Sequence, residues 1–315
     1  MRAAFIYSTD EGGFDLVRHS AMSLALSQKS PCSIHVFCYR FLPGSSDRLP
    51  AALRELGATL TLDRIEDAEL ERHETCLHVT KPALLRLLAM ERLTALYDRI
   101  VYLDNDVLVF DDLGIEELDF GSSSVAAVVD MDLSETGAIA RSQRREGGAD
   151  YFNSGFIACD ARRWRGGEVR DRYLRALAEH AAGCSFKAAC TSIDQCAANH
   201  AFAGDWAHLP LSYNMQASAK YTAHWRNAKV RHYCGARKFL PLAPFRNDGR
   251  DTRLLNQIRA RLGMSRVGTP AAQELLYRLN ALRQRRLNAD MRRFCSALAS
   301  EASWAGAGTA GHVHG

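Results

Sequence analysis

Two aspartates one residue apart, Asp104 and Asp106 in "RIVYLDNDVLVFDDL" (99–113), interrupt a run of apolar residues. Carboxylates rarely sit inside a buried strand unless something pairs with them. Within a strand, residues i and i+2 share a face, so the spacing sends both carboxylates one way and Asn105 the other. Two like charges a few ångströms apart repel, which makes a divalent cation the natural third party. Hard oxygen ligands select Mg2+ or Mn2+, ions that commonly clamp a diphosphate. Taken alone, the three-residue pattern leaves other readings open. The acids can be solvated or paired with arginines. They can also be a phosphatase-type Asp-x-Asp nucleophile pair. That motif sits on an early strand, however, whereas about a hundred residues precede this one, and no downstream Lys and acidic pair completes it.

Alternating strand and helix patterns precede the aspartates. "AAFIYS" (3–8), "SIHVFCY" (33–39) and "TLTLDRI" (59–65) read as strands, and "LVRHSAMSLALSQ" (16–28) and "LPAALRELGA" (49–58) as helices, the second ended by Gly57. "KPALLRLLAMERL" (81–93) reads as one helix with Pro82 in its first turn. This order predicts βαβ units and a mostly parallel sheet, with ligands outside the carboxyl ends of the strands, where the Asp pair stands. Further on, "SVAAVVDMDL" (124–133) is a strand ending in Asp130, and 166–181 and 192–202 carry helical patterns. From about residue 250 the chain becomes helical and rich in arginine, and no internal repeat is present.

The 315 residues suffice for one large α/β domain with an appendage, and 47% hydrophobic with 24% charged residues excludes wholesale disorder. No stretch reaches the roughly 20 apolar residues of a membrane-spanning helix. The start, "MRAAFIYSTDEGG", is too short in apolar residues for a secretory signal and reads as a first strand. Nine cysteines without a CxxC pair point to buried thiols and a cytoplasmic setting. The net charge of +4 is uneven: residues 251–300 hold ten arginines against Asp251, Glu274 and Asp290, hence +7, leaving about −3 elsewhere. The main body is therefore no nucleic-acid surface.

Several motifs occur in register. "YLDNDVLV", "YFNSGFIACDARRWR", "SIDQCAANHAF" and "RHYCGARKF", in this order between residue 3 and about 240, resemble glycosyltransferase family 8. These are retaining, metal-dependent enzymes of the GT-A fold, among them bacterial lipooligosaccharide galactosyltransferases and glycogenins. The resemblance implies an α/β fold of GT-A type, a Rossmann-like, mostly parallel sheet flanked by helices, with a helical C-terminal extension. The expected division is a catalytic domain at 1–245, a basic helical extension at 246–300 and a flexible tail at 301–315. It implies a UDP-sugar donor, a Mn2+ (or Mg2+) cofactor and a glycan or glycolipid acceptor. The expected activity is retaining transfer of galactose or glucose in lipopolysaccharide or other surface glycan synthesis. A catalytically silent nucleotide-sugar or protein-binding member of the same fold is the alternative.

Residue by residue, the resemblance makes Asp104, Asp106 and His232 the metal ligands, with Asn105 beside the donor. Ser8 and Asp10 match the loop that cradles uridine. His78 and Arg86 match a helix reaching the donor sugar and phosphate. Asp130 and the turn Asn153-Ser154-Gly155 match sugar contacts, Gly235 gives backbone access to the phosphates, and Lys238 offsets diphosphate charge. Asp194 and Gln195 match the catalytic pair beneath the anomeric carbon. An amide is a poor nucleophile, which favours front-face attack by the acceptor over a covalent intermediate. Departures from the family pattern are Phe239-Leu240 after Lys238 where Pro-Trp is usual, Cys196 in place of a second acid, and Gly12-Gly13 after the first loop.

In 273–298, Leu275, Leu279, Leu282, Met291, Phe294 and Leu298 recur at near-helical spacing among Arg278, Arg283, Arg285, Arg286, Arg292 and Arg293. Two readings stay open: a helix packed on the domain with a solvated arginine face, or a basic amphipathic surface making peripheral contact with the inner membrane through 250–300.

Overall fold

The computed structural model describes residues 1–66, 71–72, 80–131, 151–164, 166–180, 183, 192–235, 238–242 and 246–307. The chain opens with β1 (Ala3–Thr9), α1 (Phe14–Ser27), β2 (Ser33–Tyr39), α2 (Leu49–Glu55) and β3 (Thr59–Ile65). Short α3 (Lys81–Leu84) and α4 (Arg86–Leu93) lead into β4 (Arg99–Leu103), β5 (Val107–Val109) and β6 (Val125–Val129). Then follow β7 (Phe152–Asp160), α5 (Gly166–His180), α6 (Ile193–Ala201), β8 (Trp206–His208), β9 (Met215–Gln216), α7 (Ala223–Asn227) and β10 (Val230–His232). Three helices close the chain: α8 (Gly249–Arg261), α9 (Pro270–Arg283) and α10 (Arg285–Ala307).

Seven strands form the main sheet in the order β3-β2-β1-β4-β7-β6-β8. All pairings in it are parallel except the two made by β7, which runs against β4 and β6. Both faces are covered, so the central strands read as continuous apolar runs rather than alternating ones. The period of two still sorts them. Phe5, Tyr7, Val101 and Leu103 join α1, α2 and α8 in one core, and Ala4, Ile6, Ile100 and Tyr102 join α3 to α6 in the other. A second, three-stranded sheet, β5-β10-β9, sits where the chain leaves β4.

Three expectations change. Asp104 and Asp106 are not strand residues: β4 ends at Leu103, β5 begins at Val107, and the acids occupy the turn between them. The helix over 81–93 is two helices. The Pro82 carbonyl accepts both the Leu85 N–H at 3.1 Å and the Ser8 hydroxyl at 2.8 Å, which tightens the turn there. Asn153-Ser154-Gly155 is not a turn but the start of β7, and the register of β7 on β6 shifts between Ala127 and Val128. That irregularity carries residues 153–155 past the end of β4. Of the expected flexible tail, residues 308–315 lie outside the described residues.

The arginine-rich helices are built into the same core. Leu255 and Ile258 of α8 are fully buried with the strands. Asp248 caps α8 in a capping box with Asp251. Both carboxylates also hold the buried guanidinium of Arg231 on β10, at 3.0 Å for Asp248. The residue after Arg231 is His232, so α8 anchors the strand that delivers a candidate ligand.

Candidate active site

Asp104, Asp106 and His232 converge although they come from different elements. Their ligand atoms all lie within 4.8 Å of one another. His232 Nε2 is 3.2 Å from Asp106 Oδ1 and 3.7 Å from Asp104 Oδ2. The antiparallel pairing of β10 with β5, with His232 opposite Val107, sets this approach. Nδ1 of His232 is 3.0 Å from Asn214 Oδ1, which makes Nδ1 the protonated nitrogen and leaves Nε2 facing the carboxylates. Gly155 makes room for the ring: a Cβ there would lie 2.2 Å from His232 Cε1 and 2.9 Å from Asp104 Oδ2.

The carboxylates of the cluster are balanced by neighbouring cationic groups. Burial pushes Asp106 up, but His232 and Lys238, which pairs with its Oδ2, outweigh this and hold it well below the usual carboxylate range. Burial likewise pulls His232 down, yet the Asp106 carboxylate raises it above its ordinary value. Two carboxylates and an imidazole suit Mn2+ or Mg2+ as a donor set, and the glycine cradle keeps them together. Asp104 stays 24% exposed at its side chain, so the cluster opens to solvent on that side.

Arg86 ties this cluster to the rest of the site. Its guanidinium is buried and reaches Asp104 Oδ1 at 3.0 Å, Asp194 Oδ2 at 3.0 Å and Ser154 Oγ at 2.6 Å. Tyr102 lies under it, with the guanidinium carbon 4.8 Å from the ring centre, and its hydroxyl donates to Asp104 Oδ1 at 3.0 Å. Beyond Arg86, an amide network orients the other acids. Asn153 Nδ2 donates to Asp130 Oδ1 and Gln195 Nε2 to Asp130 Oδ2, both at 3.1 Å. The Gln195 carbonyl accepts from the Ser154 N–H at 3.2 Å. Asn214 Nδ2 donates to Asn153 Oδ1 at 2.9 Å, joining this network to His232. Asn199, one turn along α6, fixes Gln195 through its main-chain carbonyl and holds Phe152 by both N–H and C=O.

The remaining sequence candidates fall into place unevenly. Asp10 lies at the end of β1, accepting from the Gly13 N–H at 2.8 Å. Asn105 sits against Gly13, and its buried side-chain oxygen has no hydrogen-bond partner among the described residues. The Ser8 hydroxyl, by contrast, is occupied by Pro82 O and Tyr102 OH. Gly235 holds φ +90°, a left-handed conformation that glycine adopts without strain. His78 lies outside the described residues. Sequence reasoning missed Tyr102, Asn199 and Asn214. Tyr102 had a signal, being two residues before Asp104 and thus on the strand face expected from the sequence, and Asn199 follows Gln195 at i+4. Asn214 had none.

Residues 7–239 match the model of glycosyl transferase family 8. General stress protein A of Bacillus subtilis (strain 168) is 22% identical over 238 residues, 68% of this chain and 78% of that protein. Lipopolysaccharide 1,2-glucosyltransferase of Escherichia coli (strain K12) is 25% identical over 177 residues, 54% of this chain and 51% of that protein. The chain thus spans about half the length of this second relative. Among solved structures, an active-site mutant of LgtC aligns with a TM-score of 0.64 at 18% identity, over 80% of this chain and 94% of that one. The galactosyltransferase LgtC in complex with donor and acceptor sugar analogs aligns at 0.62 and 18%, over 82% and 95%. This likeness establishes the GT-A type of fold.

Proposed function

The chain belongs to glycosyl transferase family 8, and from that premise we propose that it moves a hexose, galactose or glucose, from a UDP-sugar to a glycan or glycolipid acceptor with retention of configuration. The observation carrying this reading is the Asp104–Asp106–His232 cluster, joined through Arg86 to Asp194 and through Asn214, Asn153 and Asp130 to Gln195. Asp104, Asp106 and His232 would hold a divalent cation, Mn2+ in our reading, which would supply charge to stabilise a departing diphosphate. The lipopolysaccharide glucosyltransferase among the relatives supports a place in surface glycan synthesis. The catalytic domain in this reading spans 1–245, with 246–300 as its extension, and works on the cytoplasmic side.

The chain's own groups divide the task. In this reading Lys238, which pairs with Asp106, offsets the charge of the diphosphate. Asp10, Asn105 and Gly235 serve the nucleoside and phosphates in this reading, and Asp130, Asn153 and Ser154 the sugar hydroxyls. In the transfer, the bond from the anomeric carbon to the phosphate oxygen breaks and a bond from the acceptor oxygen to that carbon forms. The acceptor proton passes to the leaving phosphate. Asp194 Oδ2 pairs with Arg86 at 3.0 Å, and Gln195 Nε2 donates to Asp130 at 3.1 Å, which orients both side chains. Because an amide is a poor nucleophile, our reading favours front-face attack, with both side chains stabilising the positive charge that develops on the sugar. Incubation with a panel of UDP-sugars and Mn2+, with the anomer of the product read by NMR, tests this. Asp194→Asn and Gln195→Ala should lose most turnover while keeping UDP binding; unchanged kinetics in both would overturn their roles.

A further inference from the structure

Asn214, the residue before β9, is fully buried between His232 and Asn153. Its amide has only one workable direction. That direction starts from main-chain N–H groups, which can donate but not accept. The Gly155 N–H donates to Asn153 Oδ1 at 3.0 Å, and the Ser154 N–H to Gln195 Oε1 at 3.2 Å. These adjacent donors at the start of β7 fix which end of each amide is oxygen. Asn153 Nδ2 is left for Asp130 Oδ1 and Gln195 Nε2 for Asp130 Oδ2, both at 3.1 Å. The atom that meets Asn153 Oδ1 from the other side, at 2.9 Å, must then be a donor, which makes it Asn214 Nδ2. Asn214 Oδ1 is thereby turned to His232 Nδ1 at 3.0 Å, and an oxygen there requires a proton on Nδ1. Nε2, the nitrogen facing Asp104 and Asp106, is the one kept for a cation.

We propose that Asn214 is a positioning residue that couples the cation site to the sugar side. Its oxygen carries the direction set by the Ser154 and Gly155 N–H groups to His232, and its nitrogen holds Asn153 with the amide donor on Asp130. Without the Asn214 oxygen, the imidazole loses the acceptor that fixes its orientation. Its ring proton is then better placed on Nε2, where Asp106 Oδ1 stands at 3.2 Å, and that tautomer closes Nε2 to a cation. Without the Asn214 nitrogen, Asn153 Oδ1 keeps a single donor, and a reversed amide would set its oxygen against the Asp130 carboxylate. Each member of this chain is buried, so water does not readily replace a lost partner. The sugar half of the proposal rests on the transfer reading above, whereas the cation half rests on the ligand geometry alone.

Two binding measurements on the full chain test this. The first titrates the protein with Mn2+ alone and counts the free ion by electron paramagnetic resonance. The second follows, by calorimetry with Mn2+ present, the binding of UDP and of C-glycosidic analogues of UDP-galactose and UDP-glucose, which cannot transfer their sugar. Asn214→Leu removes both polar ends and should lose about tenfold or more in Mn2+ affinity. It should also lose about tenfold in affinity for the analogue relative to UDP. Asn214→Asp keeps an acceptor for His232 but no donor for Asn153. Its Mn2+ affinity should stay at or above the wild-type level, because a carboxylate makes the imidazole a more basic ligand, while the analogue-to-UDP ratio still falls about tenfold. Asn214→Asp leaves the side-chain volume nearly unchanged, so the test stands even if the leucine variant does not fold. A purely structural role would lower both measurements together, in step with the urea midpoint, and that outcome overturns the proposal. So does an Asn214→Leu protein that binds Mn2+ like the wild type. A wild type that binds Mn2+ but neither UDP nor the analogues overturns the transfer reading and the sugar half with it, and the Mn2+ titrations then decide the cation half.

Discussion

Gly155→Ala is the substitution that discriminates most sharply. The added Cβ would lie 2.2 Å from His232 Cε1, 2.7 Å from its Nδ1 and 2.9 Å from Asp104 Oδ2. Relief to an ordinary contact of 3.4 Å needs a retreat of about 1.2 Å by the imidazole. The ring cannot retreat freely, since its Nδ1 is held by Asn214 and its backbone is paired on both sides in the small sheet. A metal ligand tolerates displacement of only about 0.2 Å. The variant should therefore lose about ten- to a hundredfold or more in Mn2+ affinity, and overpacking should cost about 1–3 kcal/mol of stability. Titration calorimetry with Mn2+ in the presence of UDP and urea unfolding give the two numbers. In a His232→Ala background the same Gly155→Ala change should cost much less, because only the 2.9 Å approach to Asp104 Oδ2 remains. A Gly155→Ala protein that binds Mn2+ like the wild type, or a cost undiminished without the imidazole, would refute the packing argument.

Arg86→Ala should destabilise the fold by about 3 kcal/mol in urea unfolding, since it leaves the Asp104 and Asp194 carboxylates without their shared buried partner. Arg86→Lys should recover only part of this, because one ammonium cannot serve Asp104, Asp194 and Ser154 together; full recovery would argue against the three-way bridge. Glu274 gives a pH signature. Burial raises its carboxyl, but hydrogen bonds from Arg278, Arg226 and the Gly249 N–H outweigh this and hold it at about 2 against an ordinary 4.5. A depressed value contributes stability in full above pH 4.5 and loses it as the pH falls toward 2. The gap in melting temperature between wild type and Glu274→Gln should accordingly narrow across that window; a constant gap contradicts it.

The sheet was legible because its signals are local. The runs 33–39 and 59–65 read as strands coincide with β2 and β3, being apolar segments bounded by turn residues. The Asp pair was legible as chemistry but not as geometry. Period-two alternation placed both acids on a strand, whereas a turn after Leu103 and the return of β10 bring them to His232. That return spans more than a hundred residues of chain, and no local pattern encodes it. Tyr102 and Arg86 illustrate the same limit. Tyr102 lies two residues before Asp104 in the sequence, but its stacking with Arg86 depends on how α4 packs on the sheet. The leucines of α9 were equally ambiguous in the sequence, because helical spacing does not say which face the domain takes; Tyr277 and Gln273 decide it.

The central claim is that Asp104, Asp106 and His232 hold the cation through which a UDP-sugar is bound. Titration of UDP into the wild type and into Asp106→Asn, each with Mn2+ and with a chelator, tests it most directly. Tight binding should require both Mn2+ and Asp106, with the chelated wild type and the Mn2+-loaded variant equally weak. UDP affinity that is the same in all four titrations would contradict the account.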